Sequence, residues 1–153
     1  MGGYRVCNTL SEGGTVARGV CETNAEGLLT KVTERTKIIR EEDGVIRFIE
    51  EDGKGDLAEN TPVSMNMWAL TPDYFAHSED YFKRFLKEHG QELKSEFFIP
   101  LMVNKLINEG TATCKVLDTT SKWFGVTYSE DRPETVERIK ALVDDGTYPN
   151  KLF

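Results

Sequence analysis

The chain has 153 residues, 19 Lys and Arg against 26 Asp and Glu, a formal charge of −7, and 39 % hydrophobic residues. That length buries a core without staples and that apolar share excludes disorder. The acidity argues against non-specific binding to nucleic acid or anionic lipid, both of which need a field of Lys and Arg.

Cys7, Cys21 and Cys114 are odd in number and widely spaced, which points to free, mostly buried thiols in a reducing compartment. With His77 and His89 as the only histidines and no CxxC, a zinc site lacks ligands. The longest apolar run, Phe97 to Val103, contains Pro100 and falls far short of a membrane span. The N-terminal MGGYRVCNTL has neither a basic region nor a long apolar one, so it does not read as a signal peptide. A cytoplasmic location is expected.

In chain order, Tyr4–Cys7 reads as a short strand. Thr15–Cys21, bounded by Gly13-Gly14, and Leu28–Thr33 read as a hairpin turning at Asn24 and Gly27. Residues 41–60 hold eight acids against Arg47 and Lys54, nearly the whole net charge. Turn signals at Asp43-Gly44 and at Asp52 to Asp56 flank Val45, Ile46, Phe48 and Ile49. The expected form is a solvated, hairpin-like excursion, not a functional acid cluster. Pro62–Leu70 is apolar almost throughout, as in a strand buried on both faces.

The pattern then becomes helical. Phe75, Phe82, Phe85 and Leu86 mark one face of a helix that starts near Thr71-Pro72-Asp73 and stops at His89-Gly90. A second helix is predicted from Ser95 to Asn108, ended by Gly110. Thr111–Leu117 and Trp123–Val126 read as strands. A last helix has Pro133 near its first position, an apolar face at Val136, Ile139, Leu142 and Val143, and a stop at Gly146. The order predicts an α/β domain or half-domain over 1–153, a mixed sheet flanked by helices. The chain has no GxGxxG, Walker or GxSxG motif. His77, in a polar stretch, and His89, at a helix end, carry no catalytic setting. Trp68 and Trp123 read as core residues.

Several segments taken together resemble something more specific. They are Ala17–Glu22, Leu28–Val32 followed by Thr33-Glu34-Arg35-Thr36, Val63–Trp68, Ser95–Pro100, Ala112–Leu117 and Lys122–Thr127. Their order resembles the C-terminal half of the sugar-phosphate nucleotidyltransferases, which join a nucleoside triphosphate to a sugar 1-phosphate and release pyrophosphate. The resemblance spans nearly all of residues 3–153 and implies a half of a Rossmann-like, GT-A-like domain. It implies that Gly19 lies with its backbone against the sugar and that Glu34 accepts sugar hydroxyls. It further implies that Arg35 supplies a cation for the sugar's phosphate and that Asn66, amid apolar neighbours, borders the pocket. Thr36 stands where the family has Pro, and Gly125 stands where it has a metal-binding Asp. The family's N-terminal half, with its glycine-rich loop, catalytic Lys and first metal ligand, has no counterpart. Magnesium is therefore expected only in the complete enzyme, not on this chain. The resemblance implies the sugar-side portion of a nucleotidyltransferase, inactive in isolation, paired with the absent half or with copies of itself. The alternative is a non-catalytic module that binds a sugar phosphate or nucleotide-sugar, or an assembly module.

Overall fold

Alternation of apolar and polar residues on either side of the Asn24–Gly27 turn pairs two long strands, β2 (Val16–Thr23) and β3 (Leu29–Arg40). The Asn24 side chain accepts the N–H groups of Glu26 and Leu28, and Gly27 takes a φ of 72°, which costs glycine nothing. Around this hairpin the computed structural model builds an α/β unit; it describes residues 1–11, 14–51, 53–126 and 129–151. Gly13, Asp52 and Thr127, which belong to segments singled out above, lie outside the described residues. The chain divides into two compact units, Met1–Ser121 and Lys122–Phe153.

Among the described residues the first unit holds a mixed sheet of seven strands. The remaining five are β1 (Gly2–Arg5), β4 (Ile46–Glu50), β5 (Gly53–Leu57), β6 (Pro62–Ser64) and β7 (Leu117–Thr119). Their order is β5-β4-β3-β2-β6-β1-β7, antiparallel except for β1 with β7. Two helices follow β6: α1 (Asp73–His89) and α2 (Ile99–Asn108). On one face of the sheet, Val6, Ile38, Ile46 and Val63 are at most 1 % exposed and form a closed aliphatic cluster. On the other, α2 lays Val103 against Cys21, Leu29 and Val32, with Trp68 and Tyr74 packed at the margin. β4 pairs with β3 only at Ile38–Arg40, so the Val32 N–H is met instead by the Asn104 carboxamide of α2, at 3.2 Å. Burial in this second cluster pushes the Cys21 thiol up to about 12.

Several sequence expectations need correction. The chain after Arg5 tightens into a 3-10 turn at Val6–Asn8 and is not strand to Cys7. Glu34 and Arg35 lie in mid-strand, because β3 runs on to Arg40. Pro62–Leu70 is strand only as far as Ser64; Asn66 takes a φ of 58° and turns the chain out, leaving Met67 63 % exposed. The second helix starts at Ile99, since Pro100 fits a first turn but not a helix interior. Of 111–117, only Lys115 and Leu117 have strand-type pairing: Lys115 bridges Leu28 and Leu117 opens β7.

α1 ends where the sequence predicts, but its apolar side chains divide. Tyr74, Tyr81 and Phe85 turn inward and are half-buried, while Phe75, Phe82 and Leu86 face out. The residues 41–60 become the turn into β4, the β4–β5 hairpin and the turn into β6. Gly55 leaves room for the Phe48 ring, which a Cβ there would meet at 2.5 Å.

In the second unit, α3 (Arg132–Asp144) carries Pro133 in its first turn and ends before Gly146, whose φ is 80°. Trp123–Val126 is irregular rather than a strand, and Trp123 is 40 % exposed rather than core. No described residue of this unit is fully buried. No helix of the described residues is long and apolar enough to cross a membrane.

Candidate functional site

Antiparallel register aligns four residues in one row across four strands: Gly3 on β1, Ser64 on β6, Gly19 on β2 and Glu34 on β3. Residues directly opposite share a face. This row alternates with Tyr4, Val63, Val20 and Thr33, three of which pack in the closed cluster, so it faces the α2 side.

Gly19 is buried and makes the row shallow. A Cβ there would fall 2.9 Å from Val32 Cγ1, 3.4 Å from Ser64 Cβ and 3.5 Å from Glu34 Oε2. The absent side chain lets Val32 close over Gly19, between a hydroxyl-bearing and a carboxylate-bearing neighbour. The Glu34 carboxylate takes no hydrogen bond or ion pair from any described residue. Its side chain reaches solvent, yet partial burial pushes its pKa above the ordinary value; Arg18 pulls it back and Glu50 adds to the rise. Ser64 Oγ accepts the backbone N–H of Asn66 at 3.2 Å, which ties the exit of β6 to the row. The exposed carboxylate suits a neutral polyol, since it accepts two adjacent hydroxyls.

Of the four residues singled out from sequence, Gly19 and Glu34 are brought together. Asn66 follows the row by two residues in the left-handed conformation and is exposed, not a buried amide seeking partners. Arg35 is not brought to them. It points to the opposite face, where its guanidinium lies 3.9 Å from the Phe48 ring centroid and 2.5 Å from Glu50 Oε2. Glu50 also accepts the Thr36 N–H, and Arg35 holds its carboxyl below the usual range.

Sequence reading missed Ser64, whose only signal was one small polar residue inside an apolar run. It also missed Glu50, hidden among the eight acids of 41–60. The buried Trp68 indole nitrogen has no acceptor among the described residues.

The position matched to a magnesium ligand does not fit one. Gly125 has no side-chain donor, and its carbonyl accepts the Thr135 hydroxyl at 3.2 Å. Among the described residues no three His, Cys, Asp or Glu side chains converge on a possible metal position. A cavity of about 270 Å³ lies elsewhere, between the start of α1, α2 and residues 111–117, with Tyr74, His77, Ile107 and Cys114 in its wall. It includes none of Gly19, Glu34, Arg35 or Asn66.

A scan against protein-family models finds no match to this chain, and a search of curated proteins finds no similar sequence.

Proposed function

We propose that the first unit is a sugar-phosphate-binding α/β unit, with the sugar ring over Gly19 and its hydroxyls on Glu34. The reading rests on one observation above all: the exposed Glu34 carboxylate takes no hydrogen bond or ion pair from any described residue, on a sheet whose other carboxylates nearby are ion-paired. Within that class, the ordered segments from Ala17 to Thr127 favour the sugar-side portion of a nucleotidyltransferase. The complete enzyme would transfer a nucleotidyl group from a nucleoside triphosphate to a sugar 1-phosphate in the cytoplasm. Magnesium and the nucleotide would be held by the absent half, and the isolated chain is inactive.

Titration calorimetry with a panel of sugar 1-phosphates and nucleotide-sugars tests the binding step. Saturable binding that Glu34→Ala weakens roughly ten- to hundredfold is expected, the value of one or two charge-assisted hydrogen bonds. Silence of Glu34→Ala would sink the site. Magnesium-dependent pyrophosphate release by this chain alone would overturn the claim of inactivity.

A second reading, a non-catalytic binding module, is favoured by the commitment of Arg35 to Glu50. That ion pair removes from the ring's face the cation that would take the phosphate. Under this reading, the unphosphorylated sugar binds as tightly as its 1-phosphate.

A further inference from the structure

The seventeen residues of α1 carry two apolar stripes with the same spacing, one residue apart. The inner stripe, Tyr74, Tyr81 and Phe85, is accounted for. Tyr74 packs on the Val103 cluster, and the Tyr81 hydroxyl donates to Glu109 at 2.7 Å under the Lys105 ammonium. Phe85 lies 5.5 Å from Phe97, ring centre to ring centre. The outer stripe is accounted for only in part, at Phe82, whose ring meets Phe97 edge-on with centres 5.4 Å apart. Phe75, Phe82 and Leu86 are 74 %, 44 % and 50 % exposed. At 100° per residue they fall within about 40° of arc and span about 16 Å of helix, a continuous ridge. A helix face this apolar in water marks an interaction surface.

The charges of the same helix say what fits it. Its first half carries Asp73, Glu79 and Asp80, and no Lys or Arg. Its second half carries Lys83, Arg84 and Lys87, against the single acid Glu88. The helix is therefore complementary to itself when reversed. A two-fold axis near its midpoint sets Phe82 beside Phe82, Phe75 beside Leu86, and Glu79 opposite Lys83. All three pairings come from one register to within a turn. Glu79 and Lys83 already form an ion pair along the helix, at 2.5 Å. Across the axis, two such pairs would become a four-charge cluster flanking the ridge.

We infer that α1 is the interface through which two copies of this chain associate, antiparallel and isologous. The inference stands apart from the sugar reading, since no residue of the Gly19 row takes part. It is tested by sedimentation equilibrium on the full chain at up to about 100 μM, the range where a small helix-pair interface is populated. The wild type is expected to dimerise. The double variant Phe75→Glu, Leu86→Glu places like charges in the ridge and is expected to raise the dissociation constant at least about tenfold. Both side chains are exposed, so circular dichroism should be unchanged. Glu79→Lys alone should weaken the dimer, and Glu79→Lys with Lys83→Glu should restore it, because the swap rebuilds both cross-axis pairs. A monomeric wild type overturns the inference. So does a dimer indifferent to the ridge substitutions, or a charge swap no better than the single change.

Discussion

The β4–β5 hairpin and the Gly19 row are two carboxylate-bearing regions of one sheet, and they are opposites. The hairpin and its flanking turns are dense with acids, yet these serve neighbouring cations. Arg47 alone meets Glu41, Asp43 and Asp56, Arg40 meets Glu59, and Arg35 meets Glu50. The row has a single acid, Glu34, which feels the charge of Arg18 but takes no hydrogen bond or ion pair from any described residue. Charge density is thus a poor guide to a site. A carboxylate that answers a nearby cation stabilises the fold and has little left to offer a ligand. One held against the sheet without such a partner costs stability and is available.

The largest effect that should separate the regions is on stability. Ile46 anchors the hairpin and is 1 % exposed. Ile46→Ala is expected to cost about 2–4 kcal/mol in denaturant unfolding, from lost burial and the cavity left behind. The folded fraction should bind sugar phosphate as the wild type does. A fall in affinity beyond the unfolded fraction would show the two regions to be coupled. Gly19→Ala should do the reverse. Its methyl must displace Val32 by a few tenths of an ångström, which costs about 1 kcal/mol of stability. Because the proposed ring lies over Gly19, the added methyl and the displaced Val32 should lower affinity at least about tenfold. Unchanged affinity in calorimetry would mean that no ring lies over Gly19.

Much of this contrast can be read from the sequence, and the rest fails for identifiable reasons. The β2–β3 hairpin follows from alternation and from the Asn24–Gly27 turn. The limits of α1 follow from Pro72 and Gly90 at its two ends, and the start of α3 at Arg132 from Pro133 in its first turn, although no side chain caps either helix at its start. Glu34 and Gly19 came from resemblance, and register alone shows them to be neighbours. Arg35 was misjudged because adjacent strand residues point to opposite faces. An irregularity between Val16 and Arg18 adds a residue on β3 and so keeps Arg35 on the face of Ile38. No periodicity in sequence announces such a bulge. Ser64 was missed because a strand that ends after three residues looks the same in sequence as one that continues. The left-handed turn at Asn66 is what ends it.

The smallest expected effect concerns pH, and its sign differs between the regions. Arg47 and the Val45 N–H hold Asp43 down to about 2 from an ordinary 3.8. A lowered folded-state pKa gives stability that is present above the ordinary value and lost as pH falls through the folded one. The hairpin should therefore loosen between about pH 4 and pH 2. Glu34 is raised, chiefly by burial, so its sign reverses. Its favourable contribution is present below the ordinary carboxylate pKa and is lost as pH rises through the raised value. At neutral pH the ionised Glu34 is a small net cost. Glu34→Gln is expected to melt slightly higher than the wild type at pH 7.5, with the difference closing toward pH 4, while its sugar-phosphate affinity falls. A variant that melts lower than the wild type at pH 7.5 would mean that Glu34 has a partner in the fold. That carboxylate would then belong with those of the hairpin.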